Sequence, residues 1–117
     1  MNTCSSNSPD PRPDRRRHPR YRFCLPLSIR AASGAVIRAI SIEISETGLS
    51  AIAADSLSVG DTVELEPVCA GTVSALVRHN VGRIYGFEFL NLSSEQASQI
   101  VQSCKTRALY DGRALGI

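Results

Sequence analysis

A small antiparallel β-barrel of six strands, closed or nearly closed and followed by one C-terminal helix, is the fold this 117-residue chain predicts. Two observations predict it. Six short apolar segments recur at intervals of roughly ten residues with Gly, Ser, Asn or Asp between them, which is the spacing of an all-β barrel or sandwich. A seventh and final segment changes period, from two to 3.6, as an amphipathic helix does. For so small a domain, closure also removes exposed strand edges.

The first strand runs from Phe23 to Arg30, with Phe23, Leu25, Leu27 and Ile29 on one face and Cys24, Pro26, Ser28 and Arg30 on the other. Pro26 lacks an N–H and so belongs at an edge or bulge. After a turn at Ser33-Gly34, Ala35 to Ser41 supplies the second strand, Glu43 to Gly48 a polar turn, and Leu49 to Ala53 the third strand. Gly60-Asp61 turns the chain into Thr62 to Glu66, where Val63 and Leu65 alternate with glutamates. Gly71 to Arg78 and Ile84 to Leu90 form a hairpin about a turn at His79 to Gly82. Finally, Ser93 and Gln96 have capping-box spacing, and Ala97, Ile100, Val101, Cys104 and Ala108 share one face of a helix of about four turns.

Composition narrows the class of function. At 12.6 kDa, with 43% hydrophobic and 21% charged residues, the chain can build one core and no second cofactor domain. The expected division is a Ser-, Asn- and Pro-rich flexible leader over 1–14, one domain over 15–110 and a short tail over 111–117. No apolar run approaches the ~18 residues of a membrane span, and no secretory signal opens the chain, so the reading is cytosolic without membrane insertion. The four cysteines, Cys4, Cys24, Cys69 and Cys104, are far apart with no C-x-x-C pair. They read as buried free thiols, with neither a disulfide nor a zinc knuckle.

The net charge of +2 is unevenly divided. From Asp10 to Arg22 six arginines stand against two aspartates, giving +4, so the rest of the chain sums to −2. Twelve of the 13 basic residues are arginines, whose planar fork matches phosphate and the guanine edge better than an ammonium does. His18 and His79 have no Cys, His or carboxylate at metal-ligand spacing and read as arm or surface histidines, so no metal is expected. Ser41, Ser45 and Ser50 have no base assembled beside them, and Glu43 and Glu46 read as solvated turn residues. The chain therefore reads as a binding module, without catalytic residues or cofactor. Its few aromatics fall mostly on inward strand faces, which argues against a single-stranded nucleic acid as partner.

Two short motifs stand out. Arg16 and Arg20 form R-x-x-x-R, with Arg15 immediately before, and Glu43-Ile44-Ser45-Glu46-Thr47-Gly48 reads E-x-S-x-x-G. Together they resemble the PilZ domain family, whose signature is R-x-x-x-R followed by [D/N]-x-S-x-x-G. The segments Gly60-Asp61-x-Val63-x-Leu65, Val77-Arg78 and Tyr85-Gly86-Phe87-Glu88-Phe89, with the closing helix, are similar to the rest of that family's pattern, from about Arg15 to Arg107. Either motif alone is weak; both in order, among these strands, make the resemblance specific.

The resemblance implies a six-stranded barrel with a C-terminal helix that binds cyclic di-GMP, and a downstream protein partner that reads the bound state. It implies ligand-binding roles for Arg15, Arg16, Arg20, Glu43, Ser45 and Gly48. Arg16 and Arg20, ~13 Å apart if extended, reach phosphates or bases of one ligand; Arg15 serves with them. Ser45 donates to phosphate or base, and Gly48 admits close backbone approach or a positive φ. Glu43 departs from the family's Asp or Asn: it keeps the acceptor for guanine N–H groups one methylene further out. The alternative reading is a degenerate module of the same fold that does not bind nucleotide.

Overall fold

The computed structural model describes residues 19–69 and 71–109. Arg15, Arg16 and His18, the leader and the C-terminal tail therefore lie outside the described residues. The described chain forms β1 (Tyr21–Arg22), β2 (Pro26–Arg30), β3 (Val36–Ile44), β4 (Gly48–Ala53), β5 (Thr62–Val68), β6 (Gly71–Val81), β7 (Ile84–Leu90) and α1 (Ser94–Lys105). Every strand pairing is antiparallel. The order β3-β2-β5-β6-β7-β4 closes on itself through the β3–β4 pairing, giving the expected six-stranded barrel, and β1 adds a short seventh ribbon beside the end of β3.

The core is the inward half of each alternation: Leu27 and Ile29 from β2, Ile37 and Ala39 from β3, Leu49, Ala51 and Ala53 from β4, Val63 and Leu65 from β5, Val73, Ala75 and Val77 from β6, and Tyr85, Phe87 and Phe89 from β7. The helix begins where its cap was expected: the Ser93 hydroxyl accepts from the Gln96 N–H at 3.0 Å, and the Gln96 side chain accepts from the Ser93 N–H at 3.1 Å. It lays Ile100 and Cys104 into the core.

Four boundaries differ from the sequence expectation, each for a physical reason. The first strand begins at Pro26, not Phe23, and Leu25 is 45% exposed instead of inward. Between Arg22 and Pro26 the buried Ser41 hydroxyl lies against the Phe23 and Leu25 carbonyls and accepts from the Leu25 N–H, while the Phe23 N–H donates to the Ile42 carbonyl and the Ser41 N–H to the Leu25 carbonyl, so main-chain and side-chain bonds mix there in place of regular pairing. Pro26, first in its strand, sits where its missing N–H costs least. The second strand runs on to Ile44, so the polar turn narrows to Ser45–Thr47. The hairpin strands reach Val81 and Ile84 around a two-residue Gly82-Arg83 turn, with Gly82 at φ +61°.

The helix stops at Lys105, leaving Ala108 exposed beyond it. There the backbone turns to another use: the Ala108 carbonyl accepts from Arg22 N–H at 2.9 Å, and Leu109 bridges to Tyr21. The Arg107 guanidinium caps the Phe23 ring at 4.4 Å. Residues 21 and 22 are thus held between β3 on one side and the post-helix segment on the other. The thiols divide as well: Cys104 is buried as expected, whereas Cys69 is half-buried and Cys24 exposed, because residue 24 points away from the core that Phe23 enters.

Two bulges matter most for function. Along β3, Ser41 faces Ala51 but Glu43 faces Ser50, so Ile42 is an extra residue opposite β4. Along β6, Val77 faces Phe87 but His79 faces Gly86, so Arg78 is extra opposite β7. Because side chains alternate with period two, a bulge sets two successive residues against one partner and puts the following side chains on the face opposite to the one unbroken alternation would give them. Without these bulges Glu43 and His79 would point into the barrel.

Candidate functional site

The two bulges place Glu43 and His79 at opposite ends of a single row across the outer face. Its members are register partners strand by strand: Glu43 with Ser50, Ser50 with Gly86, and Gly86 with His79. Four strands at ~4.8 Å spacing make this row about 14 Å long. Its middle is low, because Ser50 and Gly86 are small. The result is a trough of about 290 Å³ whose walls also include Arg20, Ser45, Thr47, Gly48, Arg78 and Glu88.

At one end Arg20 reaches over from the residue before β1. Its Nη1 lies 2.5 Å from Glu43 Oε2, a charge-assisted bond in which the guanidinium is 30% and the carboxylate 8% exposed. The other carboxylate oxygen, Oε1, is buried and has no hydrogen-bond partner among the described residues. A buried carboxylate oxygen in that condition is a strong acceptor with nothing to accept from.

Ser45 sits in the turn beside it. Its N–H donates to the Gly48 carbonyl at 2.8 Å and closes the turn. Its hydroxyl accepts from Thr47 N–H at 3.3 Å, and it has only 3.4 Å contacts to the Gly48 carbonyl and the Thr47 hydroxyl. Those contacts are long for O–H···O bonds, so the hydroxyl proton is weakly held.

Gly48 is needed for a different reason from the one the motif suggests. Its φ is not positive. A Cβ at this position would run into the Phe87 carbonyl of the neighbouring strand, so glycine lets β4 and β7 approach at the rim of the trough.

At the far end the His79 imidazole lies over Gly86 so closely that a Cβ on Gly86 would strike the ring. Arg78 and Glu88 stand beside it as a 3.4 Å pair, both about half exposed and therefore weakly bound.

Of the expected site residues, Arg20, Glu43, Ser45 and Gly48 thus line one trough, and Arg15 and Arg16 lie outside the described residues. Sequence reasoning missed Ser50, Arg78, His79, Gly86 and Glu88. Their membership depends on strand register, which no local pattern displays; the nearest signal was the Tyr85-Gly86-Phe87-Glu88 segment itself. A second hollow of about 540 Å³, lined in part by Pro26, Arg38, Ile40, Ile52 and Arg83, lies on the same outer face and contains none of the motif residues. Among the described residues no cluster of His, Cys, Asp and Glu is placed to hold a metal ion, and no helix is long and apolar enough to cross a membrane.

Chemically the trough combines an arginine fork, a carboxylate oxygen without a donor, a weakly held hydroxyl, a low floor and an imidazole. That set suits a flat, polar, anionic ligand.

Comparison with known proteins agrees with this fold. Solved structures of similar fold include the PilZ domain of CeSA from a cellulose-synthesizing bacterium, at TM-score 0.61 and 15% identity over 74% of this chain and 95% of that one. The PilZ domain of Escherichia coli YcgR with c-di-GMP matches at TM-score 0.60 and 18% identity, over 80% and 91% of the two chains. The Bacillus subtilis inhibitor of motility, MotI/DgrA, matches at TM-score 0.62 and 24% identity, over 79% of this chain and 50% of that longer one. No curated protein matches the chain. The sequence model of the PilZ domain matches residues 14–106, a span that takes in the arginine motif, the barrel with its trough and the helix, and the chain belongs to the PilZ domain family.

Proposed function

We propose that this protein is a cytoplasmic cyclic di-GMP receptor that acts as an adaptor: the ligand lies in the trough, the N-terminal arginine arm closes over it, and a downstream protein partner reads the closed form. It is a binding protein, without catalysis, metal or cofactor.

The observation that carries this reading is the state of Glu43. Arg20 occupies Oε2 while Oε1 has no donor among the described residues. A guanine presents N1–H and N2–H donors on one edge, and a carboxylate oxygen is their natural acceptor. Arg20 then serves twice: it orients Glu43, and its remaining N–H groups face the trough, where a phosphate or the guanine O6/N7 edge accepts them. Ser45 adds a hydroxyl donor, and Arg15 and Arg16 approach from the arm.

The magnitudes fit. Charge-assisted hydrogen bonds contribute about 1.5–3 kcal/mol each. Several of them offset an association cost of at least ~4 kcal/mol and reach the ~8 kcal/mol of micromolar binding. Nucleic acid is a poor fit, since Phe23, Tyr85, Phe87 and Phe89 are buried and offer no outer stacking surface.

One observation favours a second reading, a family member that works by protein contact alone. The 2.5 Å Arg20–Glu43 pair already neutralises both groups without ligand. Calorimetric titration with cyclic di-GMP, followed in parallel by amide chemical shifts of the arm and of residues 44–48, separates the two. Saturable heat with shifts in both segments is expected. A folded protein that gives neither at high micromolar ligand is the interaction module instead.

A further inference from the structure

We propose that His79 is the second wall of the nucleotide site: a planar platform on which one purine base of the ligand stacks, at the end of the trough opposite Arg20 and Glu43. This rests on the receptor reading and extends it to a residue outside both sequence motifs.

Three features, drawn from the β6–β7 and β4–β7 pairings, converge on the ring. The β6 bulge at Arg78 keeps His79 outward; in unbroken alternation from the inward Val77 the imidazole would face the core. Its register partner is Gly86, and the ring lies where a Cβ on that residue would be, so the platform has a seat made by the absence of a side chain. The next residue along the row is Ser50, so nothing tall stands between the imidazole and Glu43.

A surface histidine with no role requires neither a bulge beneath it nor a glycine opposite. Resting on backbone also limits the ring's rotation, so less conformational freedom is lost when a second flat ring covers it. The ligand chemistry follows from the shape of the site. One guanine meets the acceptor at Glu43, and the backbone positions that carry this carboxylate and the imidazole lie about 14 Å apart across the strands, with the ring leaning over Gly86 and only Ser50 between them in the row. A second planar base linked to the first, as in a cyclic dinucleotide, spans that interval, whereas a mononucleotide engages one end only.

The test uses the full chain and three substitutions, His79→Ala, His79→Phe and Gly86→Ala, titrated with cyclic di-GMP and with GMP, after circular dichroism shows each variant folded. Stacking on an aromatic side chain gives the expected size of the effect: His79→Ala weakens cyclic di-GMP binding about tenfold. His79→Phe, which keeps a flat ring, restores affinity close to that of the unsubstituted protein. Gly86→Ala, which pushes the ring off its seat, weakens binding alone and adds nothing in the His79→Ala background. GMP affinity is unchanged by all three.

Equal cyclic di-GMP affinity for the unsubstituted and His79→Ala proteins overturns the platform and leaves the receptor reading standing. So does a His79→Phe protein no better than His79→Ala. Absence of cyclic di-GMP binding by the folded, unsubstituted protein overturns the receptor reading first, and the platform with it.

Discussion

Arg20 and Glu43 stand 23 residues apart in the chain and 2.5 Å apart in space, with the carboxylate almost wholly buried and, among the described residues, only one of its oxygens engaged. This pair joins the strap that enters the barrel to the rim of the trough, so it bears on both ligand binding and stability.

Replacing Arg20 with Ala removes the donor and leaves a charge in a nearly dry position. Cyclic di-GMP affinity is expected to fall about tenfold or more, since at least one charge-assisted bond is lost. Stability is expected to fall by about 1–2 kcal/mol, less than for a fully buried pair because the guanidinium is partly solvated. Glu43→Gln, which leaves no orphaned charge, is expected to cost less stability while still weakening the ligand. Urea unfolding and calorimetry on both variants check the two effects; a larger stability loss for Glu43→Gln than for Arg20→Ala contradicts the assignment.

Gly48→Ala is expected to destabilise the barrel by more than ~2 kcal/mol. The added methyl meets the Phe87 carbonyl, a backbone atom held in the β4–β7 ladder that cannot rotate away. Thermal melting tests this, and an unchanged midpoint is the contrary outcome. Gly86→Ala is the control, because there the obstacle is the end of a side chain that can swing aside.

Ser41 is 1% exposed, and its hydroxyl serves both the Phe23 and Leu25 carbonyls and the Leu25 N–H. Ser41→Ala leaves these main-chain groups without that partner and is expected to cost about 1–3 kcal/mol in denaturant unfolding. Ser41→Thr, which keeps the hydroxyl, is expected to recover part of the loss.

The thiols are expected to alkylate in the order Cys24, Cys69, Cys104. Burial, followed by the charge of Glu46 and the neighbouring Cys69, pushes the Cys104 thiol up, with Arg107 pulling the other way. Less thiolate is then present at neutral pH, and access is poor as well. With its thiol pushed up, Cys104 is expected to require a higher pH than an ordinary thiol before its modification accelerates. Peptide mapping after timed iodoacetamide exposure reads the order, and early labelling of Cys104 in folded protein contradicts it.

Much of this molecule was legible before its coordinates. Alternation located the core strands, as with Val73, Ala75 and Val77 or Tyr85, Phe87 and Phe89, because a half-buried strand writes its period directly into the sequence. The Ser93–Gln96 box marked the helix start for a similarly local reason. The first strand misled because Leu25 continues the apolar alternation into a stretch where the Ser41 hydroxyl enters the main-chain hydrogen bonding. That bonding involves residues sixteen apart and has no local signature. Glu43 was read as a solvated turn residue when considered by itself; burial beside Arg20 depends on how β1 and β3 meet. His79 was read as an unremarkable surface group, since the glycine beneath it lies across a hairpin whose register shifts by one residue.

The shift in β3 has a consequence for how such motifs are to be compared. Inward positions run 37, 39, 41 and then 44, an interval of three where two is the rule. The same residues run in unbroken alternation, without the bulge at Ile42, would leave every letter of E-x-S-x-x-G intact and yet direct its acid to the oily interior. Spelling alone does not make two chains equivalent here; whether the strand bulges between the last core contact and the first motif letter must match too.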